Sequence, residues 1–144
     1  MAINTKKVVI GGIAAGVVMN IIDFGTYAII GGRMKAESDA FKPGLADQMM
    51  QQSQMITNVV MDLVFGILLV WTYAAIRPRF GPGLRTASYV ALLFWIIGGL
   101  FLSGYMHMGM MSPGLWWTFA LFGLVNFLIS SWVGAWLYTE DSAA

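Results

Sequence analysis

Two aspartates stand inside long apolar runs: Asp23 in residues 8–30 and Asp62 in residues 56–76. Amides accompany them. Asn20 precedes Asp23 by about one helical turn, Asn58 precedes Asp62 likewise, and Asn126 lies in the last apolar run. A carboxyl in such surroundings has three uses. Protonated, it hydrogen-bonds to an amide and joins helices. Beside a second carboxyl, it shares one proton. Ionised, it holds a cation or a partner's basic group. An ionised Asp at the centre of a membrane helix costs about 2.5–3.5 kcal/mol on insertion scales. Two carboxylates at one level also repel. No Lys or Arg lies inside any apolar run to offset them.

A second set is Met106, His107, Met108 and Met110. Thioethers and an imidazole form a soft ligand set that suits Cu(I). Met49, Met50 and Met55 fall on the same expected side. Methionine is also a common gap-filler, and the chain holds 11 of them. His107 alone reads equally as an interfacial or pH-sensitive residue. The absence of Cys excludes disulfides and thiolate metal sites. With one His and no Gly-x-Ser-x-Gly, His-Glu-x-x-His or phosphate-loop pattern, no enzyme is expected. Gly11-Gly12 and Gly98-Gly99 read as packing glycines, because no strand precedes either. No basic block or acidic tail points to nucleic acid.

The elements that must carry these residues are legible from composition. Of 144 residues, 58% are hydrophobic and 10% charged, against about 25% charged in soluble domains. That apolar content exceeds what one core buries, so lipid is the expected solvent. A single transmembrane domain is expected, with spans at 8–30, 56–76, 86–105 and 115–138 and an outer loop at 31–55. Each run is near the ~20 residues that cross ~30 Å of hydrocarbon. Length and the lack of period-two alternation favour helices. The first run is too long for a signal-peptide core and contains Asp23, so it reads as a retained span. Ser112-Pro113 predicts a helix start. Pro43 predicts another, over 43–54. Pro78, Gly81, Pro82 and Gly83 predict a hairpin. Lys6, Lys7, Arg77, Arg79 and Arg85 share one side of this layout, and Arg33, Lys35 and Lys42 the other. The positive-inside rule then puts both termini in the cytoplasm.

Depth and helical phase relate the polar residues. Asp23 lies four residues beyond the middle of its run and Asp62 four before the middle of its own, each about 6 Å to the outer side. Gly12, Gly16, Asn20 and Asp23 form one stripe. So do Asn58, Asp62 and Gly66, then Gly99, Ser103 and His107, then Gly123, Asn126, Ser130 and Gly134. Membrane helices associate through small residues and hydrogen bonds, so these stripes are expected to meet inside an all-α, antiparallel four-helix bundle.

Three stretches carry a resemblance. They are Gly11-Gly-Ile-Ala-Ala-Gly-Val-Val-Met-Asn-Ile-Ile-Asp-Phe24, Trp71-Thr-Tyr-Ala-Ala-Ile-Arg-Pro-Arg-Phe-Gly-Pro-Gly83 and Val133-Gly-Ala-Trp-Leu-Tyr138. The chain resembles a group of small bacterial four-span membrane proteins without assigned activity. The resemblance implies a bacterial plasma-membrane setting and brings no site residues. Three functions are open. The first is a structural or accessory subunit of a larger membrane complex, or a homo-oligomer. The second is a small proton, cation or solute transporter or channel using Asp23 and Asp62. The third is a Cu(I)-binding membrane protein on the periplasmic side. The expected partners are the lipid bilayer and a membrane protein or second copy.

Overall fold

The computed structural model describes residues 3–139, which contain five helices and no strand. These are α1 (Thr5–Phe41), α2 (Leu45–Met49), α3 (Gln52–Phe80), α4 (Leu84–His107) and α5 (Pro113–Leu137). All but α2 are long and apolar enough to cross a membrane. Helix α1 packs against α3 and α5, and α4 lies chiefly against α5 and less against α3. The Asn4 backbone N–H donates to the Tyr138 hydroxyl at 3.3 Å. That contact marks the termini end of the bundle, and α2 and the α4–α5 turn mark the opposite, α2 end.

Glycines set the closest approach. A Cβ on Gly12 would stand 2.5 Å from the Ile67 Cα, and one on Gly16 2.6 Å from the Leu63 Cα. A Cβ on Gly66 would collide with the Gly12 carbonyl oxygen and the Gly16 nitrogen. Helices α1 and α3 therefore touch backbone to backbone, the approach that small residues permit. On the other side of α1, a Cβ on Gly11 would stand 2.8 Å from the Gly134 oxygen of α5. The apolar core fills the termini end, where Leu69, Val70, Tyr73, Ala87, Val90, Ala135 and Tyr138 cluster.

Residues 31–41, expected in a loop, continue α1. At 1.5 Å per residue its 37 residues span about 55 Å, well beyond the ~30 Å apolar layer. The excess is polar and is held by i,i+4 pairs, Arg33–Glu37 at 3.0 Å and Lys35–Asp39 at 3.1 Å. Pro43 stays in the turn. Gly44, at φ 79°, precedes α2, and the Asp39 carboxylate accepts the Ala46 N–H at 3.0 Å. Helix α3 runs through Pro78 to Phe80, because a proline in the last turn removes one backbone hydrogen bond without preventing the helix from ending there. Gly81 (φ 84°) and Gly83 (φ 115°) make the reversal. Thr86 Oγ1 donates to the Gly81 oxygen at 2.7 Å, and the Gly83 N–H donates to the Tyr73 hydroxyl at 3.0 Å. Ser112 caps α5 by accepting the Leu115 N–H at 3.1 Å, with Pro113 as the first helical residue.

The polar extension of α1 is tied to α5. The Glu37 carboxylate accepts the Ser112 N–H at 2.8 Å and the Ser112 hydroxyl at 2.9 Å, and Arg33 Nη2 donates to the same hydroxyl oxygen at 3.2 Å. Burial pushes the Glu37 carboxyl up, but the Ser112 donors and the Arg33 guanidinium outweigh it and hold it below its ordinary 4.5. A depressed carboxylate stabilises the fold at neutral pH, and this is lost as the pH falls below the ordinary value toward the depressed one. Acidification through the carboxylate range is therefore expected to lower the Tm in detergent more steeply for the wild type than for Glu37→Gln. Equal slopes would contradict the clasp.

Candidate functional site

Asp23 lies within the stripe of α1 that is buried at Met19, Thr26 and Ile30. Asp62 lies one turn before Gly66, on the stripe that α3 buries at Gly66, Leu69 and Tyr73. Helical phase thus turns both acids toward the bundle axis. Asn126 of α5 is 4% exposed. Its Nδ2 donates to Asp23 Oδ1 at 2.6 Å and to the Met19 carbonyl at 3.3 Å, and its Oδ1 accepts the Ser130 hydroxyl at 3.0 Å. With both ends of the amide engaged, the donor at Asp23 is fixed in place.

Asp62 differs. It is half-buried, the charge that acts on it is that of Asp23, and it accepts no hydrogen bond among the described residues. Asn20 does not reach either acid. Its Nδ2 donates to the Gly16 carbonyl at 2.9 Å and to the Val59 carbonyl of α3 at 3.3 Å, which adds to the glycine contact between the two helices. Asn58 is exposed, one turn from Asp62 toward the α2 end.

Helix α4 determines how open this region is. Its interior stripe begins with Ala87 at 0% and Val90 at 1% exposure and passes through Phe94. It ends with Gly98 exposed, Phe101 at 76% and Tyr105 at 50%. The same face is therefore covered at the termini end and uncovered at the α2 end. In its later turns α4 leans on α5, where Trp95 Nε1 donates to the Ala120 carbonyl at 2.7 Å and Trp116 Nε1 to the Gly99 carbonyl at 3.4 Å. At mid-height Phe94 meets Phe65 and Phe127, each with ring centroids 6.4 Å away. This aromatic layer closes the core at mid-height, and Asp23 and Asp62 lie beyond it toward the α2 end, where α4 leaves its own inner stripe uncovered. Asp23, though on an interior stripe, is exposed.

One expected stripe does not join the others. A Cβ on Gly99 would meet nothing within 4 Å, Ser103 Oγ donates to the Leu100 carbonyl at 2.7 Å, and His107 is exposed. Ala87, Val90 and Phe94 set the rotation of α4, and the Ser103 hydroxyl is satisfied within its own helix. The uncovered half of the α4 inner stripe is what sequence reasoning missed, since Phe101 and Tyr105 look like ordinary lipid-facing residues. The Glu37–Ser112 clasp had no sequence signal beyond the capping serine.

The soft ligands are spread over the α2 end. His107 Nδ1 lies 2.7 Å from the Ser103 carbonyl. A carbonyl only accepts, so Nδ1 is the donor in this contact. Met108 is exposed, and Met106 and Met110 are half-buried. Met50 Sδ accepts the Tyr27 hydroxyl at 2.7 Å, which places α2 against α1. No group of three His, Cys, Asp or Glu among the described residues stands close enough to hold a metal ion. Comparison with known proteins returns no match to a family model, to a curated protein or to a solved structure.

Proposed function

We propose that the chain is a multi-pass protein of the bacterial plasma membrane that takes up protons or small monovalent cations at the Asp23–Asp62 pair. The observation that carries this is Asp62: a half-buried carboxylate on the stripe of α3 that buries Gly66, under the like charge of Asp23, with no donor among the described residues. Interhelical glue accounts for Asp23, which Asn126 holds, but gives Asp62 no partner. In an apolar setting such a group is neutralised by a proton or a bound cation. The excess of Lys and Arg on the termini end supports cytoplasmic termini, with the acid pair in the half of the bundle toward the other side. Purified protein in proteoliposomes tests the reading. An imposed proton or alkali-cation gradient is expected to dissipate faster than in protein-free vesicles, and equal rates for every cation tried would overturn it.

A second reading, a subunit of a larger membrane complex or a homo-oligomer, is favoured by the uncovered stripe of α4. The particle mass in mild detergent separates the two: a lone chain that still conducts supports the first, and an inactive chain found only with a stoichiometric partner or second copy supports the second.

A further inference from the structure

We infer that the termini end of the bundle carries a binding surface for anionic phospholipid headgroups, built by Arg79, Arg85 and Lys6 around the α3–α4 hairpin. The inference rests on the membrane reading and is independent of ion uptake. Its basis is an asymmetry in how the cations are used. At the α2 end, Arg33 is paired with Glu37, and Lys35 with Asp39 and Asp47, all at 3.0–3.1 Å, and of the three cations there Lys42 alone makes no ion pair among the described residues. The acids among the described residues are Asp23, Glu37, Asp39, Asp47 and Asp62, and each lies at the α2 end or between it and mid-height. Lys6, Arg79 and Arg85 are exposed at the termini end. Glu140 and Asp141 follow in sequence, outside the described residues.

The hairpin is a fixed platform, not a loose loop, because Thr86 and Tyr73 fasten both of its glycines. Arg85 Nε donates to the Tyr89 hydroxyl at 2.7 Å, and its guanidinium stands 5.7 Å from the centroid of the same ring. That geometry leaves the two Nη groups for a planar, two-pronged acceptor such as a phosphodiester. Arg77 is anchored nearby, 5.7 Å over the Tyr138 ring. Phe80, Leu84, Trp71 and Trp136 are exposed around this end, the mixture of aromatic and apolar groups that settles at a headgroup boundary. Cations held at that level, with apolar anchors beneath them, fit a charged headgroup attached to acyl chains better than they fit a soluble anion.

Native mass spectrometry of delipidated protein in mild detergent tests this, with phosphatidylglycerol and phosphatidylcholine of the same acyl chains offered together. The wild type is expected to retain phosphatidylglycerol preferentially, and the preference to weaken as salt is raised. Each arginine removed in Arg79→Gln and Arg85→Gln is expected to lower the preference about fivefold, the scale of one basic side chain at an anionic surface. Lys6→Gln, at the first turn of α1, gives a second route to the same loss without touching the hairpin. The pair Arg33→Gln and Lys35→Gln is expected to leave the preference intact, and circular dichroism checks that every variant keeps its helical content. Equal retention of the two lipids by the wild type overturns the inference. So does a preference that survives loss of all three cations, or full displacement of the lipid by inorganic phosphate.

Discussion

Asp62→Asn is expected to reduce gradient-driven flux in proteoliposomes to the protein-free background while leaving helical content and Tm within the wild-type range. Asparagine keeps the size and shape of the side chain but cannot ionise or carry a proton at neutral pH. The fold should not suffer, because Asp62 accepts no hydrogen bond among the described residues and faces only the like charge of Asp23. Removing one of two repelling acids relieves the pair. Asp23→Asn is a useful companion, since its Oδ1 can still accept the Asn126 amide. Asn126→Leu is different in kind. It strips Asp23, the Met19 carbonyl and Ser130 of their partner at a buried position, so a cost of about 1–3 kcal/mol is expected from unsatisfied groups alone. Full flux through Asp62→Asn would end the case for ion uptake at this pair.

Gly66→Leu is expected to abolish the folded bundle, read as loss of the monodisperse peak in detergent. Even Gly66→Ala should lower the Tm clearly. The added carbon would meet the Gly12 oxygen and the Gly16 nitrogen, which are backbone atoms of the facing helix and cannot rotate away. Overpacking against movable side chains costs about 1–3 kcal/mol. Here α1 and α3 must separate instead, which also breaks the Asn20–Val59 hydrogen bond. Gly99→Ala is the control, because its Cβ meets nothing within 4 Å and alanine favours the helix by up to about 1 kcal/mol. A Gly66→Leu protein that melts like the wild type would show that the two backbones are not in contact.

Depth leaves Asn20 and Asn126 equal as partners of Asp23, but the glycine contact and the serine cap of α5 are legible in the sequence for one reason. Each depends on a residue type that lipid tolerates poorly or that only one backbone geometry uses, so spacing alone locates it. The polar length of α1 is not legible, because residues 31–41 show no apolar period and are held by charge pairs and by Ser112, far away in the chain. The rotation of α4 is hidden for a different reason. In a membrane both the lipid-facing and the interior side of a helix are apolar, so hydropathy does not distinguish Phe101 from Val90. Small and hydroxyl residues then suggest a face, and at Gly99 and Ser103 they mislead, because Ser103 donates to a carbonyl of its own helix.

The unbroken length of α1 makes it a lever. Its fulcrum is the backbone contact of Gly12 and Gly16 with Gly66, and its far arm ends at the Glu37–Ser112 clasp. Gly16 and Glu37 are separated by about 30 Å along the axis, so a tilt of about 5° at the fulcrum carries Glu37 about 3 Å sideways. Hydrogen bonds of 2.8–2.9 Å do not survive such a shift. Asp23 rides on the same arm, about a third of the way along it. A sideways displacement of α1 at Asp23 is thus about three times as large at Glu37, at the far rim of the molecule.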